Sequence, residues 1–267
     1  MKVAVVGHIE WGKFANVEHV PVAGEIILAK GVWEEVAGGG SVAAMQLAKL
    51  NGSCVFFTAV GDDEAGAHSI SQLQKNGVEV YATVIKNQHT KSIFVYIDEQ
   101  DERTITVMGN LKPSGGSKDL PWEKLAEMDA VYFVSGDENA LKFARHAKVL
   151  VSTARILPLL RNTGIQLDGL VSSAKDSGEV YHEGELNPAP STVVITRGVN
   201  GGDASDGTTY RSEIVANSEL VDTYGCGDSF AAGLTFGLAG GATVQDALKI
   251  AALAGADAAK RRGAFGN

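Results

Sequence analysis

Residues 220–241, LVDTYGCGDSFAAGLTFGLAGG, combine a glycine turn, an aspartate and an apolar helix. Gly225 and Gly227 permit backbone angles that other residues avoid and let a ligand approach the chain closely. The N–H groups at the start of the helix, with the helix dipole behind them, form a site for anionic oxygens. Asp228 would repel a resting phosphate there, which suits a general base beside a group in transfer. Asp is also a common N-cap residue, so the stretch alone leaves base and cap open.

A second stretch, VAVVGHIEWGKF at 3–14, has the glycine spacing of a phosphate-binding P-loop. Phe14 stands after Gly12 and Lys13, where a complete P-loop has the Ser or Thr hydroxyl that binds Mg²⁺. The following residues show strand and turn chemistry instead of a helix. We therefore interpret this stretch as the end of a strand with a coincidental Gly-Lys pair.

Short apolar strands alternate with helical patterns along the chain, which is typical of a mostly parallel sheet covered on both faces. SVAAMQLAKLNG predicts a helix from about Ser41 that ends at Gly52. DDEAGAHSISQLQKNG predicts a second helix, acidic at its start and stopped by Gly77. The strands are predicted at 3–7, 54–60, 131–135, 148–152, 167–172 and 192–196.

Three β segments interrupt this alternation. They are GEIILAKGVWEEV near the amino terminus, KSIFVYIDE and RTITVMG. We interpret them as a small sheet inserted at about 12–36 and 90–109 into a single domain that covers 1–267.

The composition narrows the class of protein. The 267 residues are 45% hydrophobic and 21% charged, which fits one large α/β domain. A net charge of −9 argues against a nonspecific nucleic-acid binder, because phosphate backbones require a concentrated basic face. The chain has only two cysteines, no long apolar run and no secretory leader pattern, so we expect a cytoplasmic protein without a membrane segment.

DTYGCGDSFAAG resembles the carboxy-terminal signature of the ribokinase-like (pfkB) carbohydrate kinase family, with Cys226 where the family usually has Ala. The resemblance extends to VAGGGSVAAMQLAKLNG, FFTAVGDDEAG, VVITRGVNGG and AALAGADAAKRRGAFG, in the family's order. It implies a three-layer α/β/α fold with a mostly parallel central sheet and a small β lid. The lid also carries the dimer contact in many relatives, so a homodimer through it is implied.

The resemblance implies catalytic roles at the glycine turn. Asp228 matches the base that takes the proton from a sugar hydroxyl as it attacks the γ-phosphate of ATP. Gly225, Cys226 and Gly227 match the anion hole that compensates charge in the transition state.

The resemblance also implies where cofactors bind. Mg²⁺ would accompany ATP, and Asp222 matches an aspartate that helps to bind a monovalent cation such as K⁺ in several members. The positions expected along the nucleotide are Thr196, Gly198, Asp222, Ala252 and Gly255. The family's Asn-x-x-Glu motif, which recruits Mg²⁺ through water, is replaced by Ser173 and Asp176, and Asp176 is the remaining carboxylate for that role.

The substrate side departs from the family pattern. Many members have a substrate-gripping Asp where this chain has Gly12, and an Asn where it has Ala43. The available replacements are His8, Glu10 and Trp11, while Gly39 and Gly40 would let the substrate approach the backbone. We therefore expect an ATP-dependent kinase of a sugar or a sugar-containing molecule. A nucleoside kinase, with Trp11 stacked on a base, and a relative that binds without turnover remain as alternatives.

Overall fold

The computed structural model describes residues 1–100, 102–216 and 218–263. Asp101, between two predicted β segments, and the end of the motif AALAGADAAKRRGAFG lie outside these ranges. The strands are β1 (Val3–Val6), β2 (Glu10–Asn16), β3 (Gly31–Ala37), β4 (Cys54–Gly61), β5 (Val78–Ile85), β6 (Ser92–Ile97), β7 (Arg103–Met108), β8 (Ala130–Phe133), β9 (Val149–Thr153), β10 (Gly169–Ser173), β11 (Thr192–Thr196), β12 (Gly202–Ala204) and β13 (Thr209–Tyr210). The helices are α1 (Gly39–Asn51), α2 (Glu64–Lys75), α3 (Glu138–Ala144), α4 (Leu157–Leu160), α5 (Cys226–Ala239) and α6 (Val244–Ala259).

The larger sheet has the strand order β13-β12-β11-β10-β9-β8-β1-β4-β5. Its strands from β11 to β5 are parallel, and β12 and β13 add an antiparallel edge. The six predicted strands correspond to β1, β4, β8, β9, β10 and β11, with bounds that differ by at most two residues.

Two apolar cores cover the two faces of this sheet. Successive strand residues point to opposite faces, so Val5 packs in the core shared with α1, α5 and α6, and Val6 in the core shared with α3 and α4. The expected three-layer α/β/α arrangement is therefore confirmed.

The predicted helices are present with small shifts. α1 begins at Gly39, two residues earlier than predicted, and ends before Gly52, which adopts a left-handed φ of 86°. α2 begins after Asp63, whose carboxylate accepts the N–H of Gly66 and caps the helix. No helix in the described ranges has the length and apolar character needed to cross a lipid bilayer.

The smaller sheet, which we call the β-lid, has the order β3-β2-β6-β7. Its outer pairs are antiparallel and β2 pairs with β6 in parallel. The β interpretation of GEIILAKGVWEEV holds from Gly31 onward and is wrong for residues 24–30, which form no strand and leave Ile26 and Leu28 almost fully exposed. Gly12 and Lys13 lie within β2, and Lys13 pairs with Glu34, so this segment is not a P-loop.

The carboxyl ends of the parallel strands define one edge of the larger sheet. β1 lies between β8 and β4 and leads into the β-lid, while β9, β10 and β11 end at the same edge on one side of it. Ligands of open α/β sheets bind in the crevice outside the carboxyl ends of the strands. The fold therefore directs attention to the residues that follow β1, β9, β10 and β11.

Candidate active site

Asp228 lies in the first turn of α5. The N-cap of this helix is Gly225, with a left-handed φ of 76° and no side-chain cap, so Asp228 is not the capping residue. The side chain of Asp228 is only 13% exposed, and its carboxylate lies against the Cα of Gly39 at the start of α1. The alternative that Asp228 merely caps the helix is therefore wrong, and its carboxylate is directed toward the junction of the two helices.

The predicted anion hole is the first turn of α5. The amides of the first helical residues have no intrahelical acceptor, and the helix dipole adds a partial positive charge to them. The amide of Cys226 donates only a long bond, 3.4 Å, to the carbonyl of Thr223. A Cβ built on Gly227 meets no atom within 4 Å, so its Cα faces open space. These features fit an anionic group such as a phosphate.

The loop before α5 is tied to α1 through Tyr224. Its buried hydroxyl accepts a 2.8 Å hydrogen bond from the N–H of Gly38. Burial, and then the charge of Glu10, raises the pKa of Tyr224 well above its ordinary value, so the phenol stays protonated. This bond fixes the glycine turn of α1 against the loop that leads to Asp228.

Asp222 holds the same loop from within. Its Oδ1 accepts the N–H of Tyr224 at 2.8 Å, whereas its Oδ2 is buried without a hydrogen-bond partner among the residues that the structure describes. A buried, unpartnered carboxylate oxygen is costly unless a ligand satisfies it. Asp222 therefore fits the cation-binding role predicted for it.

His8 and Glu10 lie together at the carboxyl end of β1, with Lys91 beside them. Lys91 Nζ is 2.7 Å from Glu10 Oε1, and His8 Nε2 is 3.5 Å from the same oxygen. Burial, and then the charges of Lys91 and Arg155, lowers the pKa of His8 well below its ordinary value, so the ring is neutral. Its Nδ1 is buried and lacks a partner among the described residues. This group offers hydrogen-bonding atoms to a polar ligand.

Sequence reasoning missed Lys91, which precedes a lid strand far along the chain. β2 and β6 pair in parallel with Trp11 opposite Ser92, and this register brings Lys91 beside Glu10. Such a pairing across about eighty positions has no local signal in the sequence.

Trp11 is not part of this group. Residues of a strand alternate between two faces, so Trp11 points away from the face of Glu10 and Phe14. Its Nε1 donates to Glu34 at 2.5 Å, and its ring contacts His68 edge-on at 5.4 Å. The structure therefore does not bring Trp11 together with His8 and Glu10.

The position of the missing family aspartate is filled by an aromatic ring. A Cβ on Gly12 would overlap the ring of Phe14. Phe14 is buried, stacks on Trp33 at 5.2 Å and meets Tyr224 edge-on at 5.7 Å. An aromatic cluster thus occupies the space that a side chain at position 12 would need.

Arg155, which sequence reasoning also missed, is the second residue after β9. Its Nε and Nη2 bind Glu179 Oε1 at 2.7 and 2.6 Å, and its Nη1 is 3.5 Å from Asp228 Oδ1. The charges of Asp228 and Glu179 raise the pKa of Arg155 above its ordinary value, so the guanidinium is always charged. Its signal in the sequence is a basic residue shortly after the predicted strand at 148–152.

Asp176, Gly39 and Gly40, which were predicted to bind the metal or the substrate, make contacts within the protein. Asp176 is exposed and accepts the N–H of Gly178, so Glu179 and not Asp176 is the carboxylate that reaches the Asp228 region. Gly39 and Gly40 do allow close approach, but their near neighbours are Asp228 and the backbone of His8. No group of three or more His, Cys, Asp or Glu suited to a metal ion occurs within 1–100, 102–216 and 218–263.

The predicted nucleotide positions other than Asp222 lie at the end of β11, in the turn after it and in α6. Thr196 Oγ1 donates to the carbonyl of Ser172 at 3.1 Å, and Gly198 opens the next turn with a left-handed φ of 59°. Ala252 is buried in α6, and a Cβ on Gly255 of the same helix would make an ordinary 3.4 Å contact with the carbonyl of Cys226. Of these residues, Gly255 lies beside the first turn of α5.

Comparison with known proteins agrees with this arrangement. The model described as "pfkB family carbohydrate kinase" matches residues 1–148 and again 135–266. The chain is 26% identical to a ribokinase of Lactococcus lactis, covering 99% of this chain and 93% of the relative, and 28% identical to a fructokinase of Salmonella typhimurium, covering 83% and 85%. Its structure resembles a ribokinase of Thermotoga maritima with a TM-score of 0.80 at 19% identity, covering 99% and 94%. It also resembles an Arabidopsis thaliana ribokinase complexed with ribose and ATP, with a TM-score of 0.76 at 20% identity, covering 98% and 93%.

Proposed function

We propose that this chain, which belongs to the pfkB family of carbohydrate kinases, transfers the γ-phosphoryl group of ATP to a hydroxyl of a sugar or a sugar-containing small molecule. The observation that carries the proposal is the position of Asp228. It is a poorly exposed carboxylate that does not cap its helix, one residue beyond the open Gly227 in the same helical turn. The sugar-kinase names of its relatives support the substrate class.

In this proposal the residues at the start of α5 have two roles. Asp228 accepts the proton of the attacking hydroxyl, and the amides of Gly225, Cys226 and Gly227 compensate the charge of the phosphoryl group. Positioning and electrostatic stabilisation supply most of the catalysis in phosphoryl transfer.

ATP is the proposed donor because the similar plant ribokinase was solved with ribose and ATP. Thr196 and Gly198 would lie along the nucleotide, and α6 with Ala252 and Gly255 would border it. Mg²⁺ bound to the phosphates would neutralise part of their charge, with Glu179 the better placed carboxylate and Asp176 the exposed one. The unpartnered Oδ2 of Asp222 supports a monovalent cation there.

The acceptor would bind at His8 and Glu10, near the glycine turn of α1. The neutral His8 ring has an unpartnered Nδ1, and Glu10 accepts hydrogen bonds, so both suit hydroxyl groups. An aromatic ring beside these residues, on which a base could stack, would favour a nucleoside as the acceptor. Because Trp11 points the other way, we favour a sugar.

We also propose that the β-lid mediates a homodimer, as the family resemblance implies. The edge strands β3 and β7 expose Val32, Ile105 and Val107, which are 75%, 44% and 54% exposed. Mass measurement by light scattering, with Val107→Lys as the disrupting variant, tests this proposal.

The test of the kinase proposal is turnover of a panel of sugars and nucleosides by the wild type and by Asp228→Asn. We expect phosphorylation of a sugar by the wild type and a loss of at least about 1,000-fold in kcat for the variant. Asp119→Asn, at an exposed aspartate far from Asp228 in the sequence, is the matched control and should behave like the wild type. Equal turnover by Asp228→Asn and the wild type would remove Asp228 from the proposed role.

A further inference from the structure

Arg155 presents a fixed positive charge beside Asp228. Two of its nitrogens are held by Glu179, which is 15% exposed, while the Arg155 side chain itself remains 43% exposed. Its Nη1 stands 3.5 Å from Asp228 Oδ1, a separation too long for a strong hydrogen bond. Glu179 therefore determines where the guanidinium lies, and the N–H groups nearest Asp228 keep capacity for a further acceptor.

The charge around Asp228 is unfavourable for a polyphosphate without this arginine. Asp228 and Glu179 are both carboxylates, and a phosphoryl group brought to Asp228 would meet their combined repulsion. A guanidinium is planar and matches phosphate oxygens with paired N–H donors. Arg155 is the cation that contacts both carboxylates, so it is placed to offset this repulsion.

The acceptor side of the cleft adjoins the same arginine. The charges of Lys91 and Arg155 both act on the buried His8. Lys91 is bound to Glu10 and two nitrogens of Arg155 are bound to Glu179, so Nη1 of Arg155, 3.5 Å from Asp228 Oδ1, is the nitrogen of this side chain left for a further acceptor. Nη1 beside Asp228 therefore has the capacity to bind an anionic oxygen.

We propose that Arg155 binds a phosphoryl group next to Asp228, with Glu179 as the residue that positions it. This inference rests on the proposed kinase function. In the reaction the acceptor oxygen bonds to the γ-phosphorus, the bond from phosphorus to the β–γ bridging oxygen breaks with its electron pair going to ADP, and the hydroxyl proton goes to Asp228. The phosphoryl oxygens that Arg155 binds are those of the transferring group or of a phosphate already on the acceptor.

The experiment compares Arg155→Met and Arg155→Lys with the wild type. Arg161→Met is the matched control, since Arg161 binds Glu185 at 2.8 Å across the same 24-residue separation that joins Arg155 and Glu179. Each protein is assayed with ATP and with neutral and singly phosphorylated sugars. We expect Arg155→Met to lose about 10- to 100-fold in kcat/KM, Arg155→Lys to lose less, and Arg161→Met to match the wild type.

The pattern of the loss identifies the source of the phosphoryl group. A fall in kcat on neutral and phosphorylated acceptors alike assigns Arg155 to the transferring group. A rise in KM confined to phosphorylated acceptors assigns it to a phosphate on the substrate. Kinetics of Arg155→Met within about twofold of the wild type on both would overturn the proposal, and Arg155→Lys carries the comparison if the Met variant does not fold.

A binding measurement separates this proposal from the kinase function. If the wild type phosphorylates no acceptor, the kinase proposal fails, and the phosphoryl site is still tested by thermal shift with a nonhydrolysable ATP analogue and with inorganic phosphate. A smaller shift for Arg155→Met than for Arg161→Met supports the site. Equal shifts for the two variants would overturn it.

Discussion

The carboxylate of Asp228 lies where a side chain of Gly39 would begin: a Cβ on Gly39 would stand 2.7 Å from Oδ1 and 3.0 Å from Oδ2. The first turn of α1 thus leaves room for the Asp228 side chain because it has no side chain of its own at position 39. Glycine at position 39 serves this contact between helices, because its own backbone needs no left-handed angle.

Gly39→Ala should therefore impair catalysis more than folding. The added methyl group would displace Asp228 toward Arg155, and a misplacement of about 1 Å costs on the order of 100-fold in kcat. Alanine within a helix is favourable by up to about 1 kcal/mol over glycine, so we expect little loss of thermal stability. Gly116→Ala, where the nearest atom is an ordinary 3.6 Å away, is the control. Steady-state kinetics with unchanged kcat for Gly39→Ala would contradict this view of the contact.

Tyr224→Phe should destabilise the protein. The substitution removes the hydroxyl that accepts the N–H of Gly38 and leaves that buried N–H without its partner. An unsatisfied buried donor costs about 1–3 kcal/mol in the free energy of unfolding, which denaturant titration measures. Tyr96→Phe, at a half-buried tyrosine of the β-lid, is the control and should change the free energy by less than about 0.5 kcal/mol. Equal stability of the two variants would show that Tyr224 does not tie the loop to α1.

The central strands could be predicted from the sequence because each is a short apolar run between turn residues. β1 is followed by Gly7 and β4 ends at Gly61, and the valines of β1 and the Val and Phe residues of β4 favour sheets. The segment at 24–30 misled the prediction because Ile26 and Leu28 are apolar, although they face solvent. A local sequence pattern shows where apolar residues occur, but it does not show whether another element of the fold covers them.

The site was less predictable, for two different reasons. Glycine turns and Asp228 form one contiguous motif, so their meeting is encoded locally. Arg155 and Lys91 reach the site only through the order and register of strands far apart in the chain, which no local pattern contains. The orientation of Trp11 could have been predicted. Residues along β2 alternate between two faces, which implies that the Trp11 side chain points away from that of Glu10.

Asp63→Asn should destabilise the protein in a pH-dependent way. Burial alone would raise the pKa of Asp63, but hydrogen bonds from Thr90 and Gly66 outweigh it and lower the pKa below the ordinary value. A lowered native pKa stabilises the fold above the ordinary pKa of aspartate, and this contribution disappears as the pH falls through the native value. We expect the wild type to exceed the variant by about 1–2 kcal/mol near pH 6, with the difference shrinking below about pH 4.

The exposed neighbour Asp62 provides the control for this prediction. Asp62→Asn should show no comparable difference at either pH, as measured by denaturant unfolding. Asp63 also accepts the N–H of Thr90, the residue before Lys91, at 2.9 Å. If Asp63→Asn is destabilised by the same amount down to about pH 3, the loss does not depend on the carboxylate charge. Charge-assisted hydrogen bonds of Asp63 would then not be its cause.

Gly12→Ala should destabilise the protein through Phe14. The new Cβ would overlap the Phe14 ring, which is packed between Trp33 and Tyr224, and overpacking of this kind costs about 1–3 kcal/mol. In a Phe14→Leu background the same change should cost less, because leucine leaves the edge of the ring site vacant. The double-mutant cycle, measured by denaturant unfolding, should give a coupling energy of about 1 kcal/mol.

Gly31→Ala is the control for this cycle, since a Cβ on Gly31 in the neighbouring strand meets its nearest atom at 3.7 Å. Additive effects of Gly12→Ala and Phe14→Leu would show that the ring does not occupy the position of the missing side chain. A measured coupling has a functional consequence. It means that an aspartate at position 12 would require rebuilding of the aromatic cluster, which supports the proposal that His8 and Glu10 recognise the acceptor.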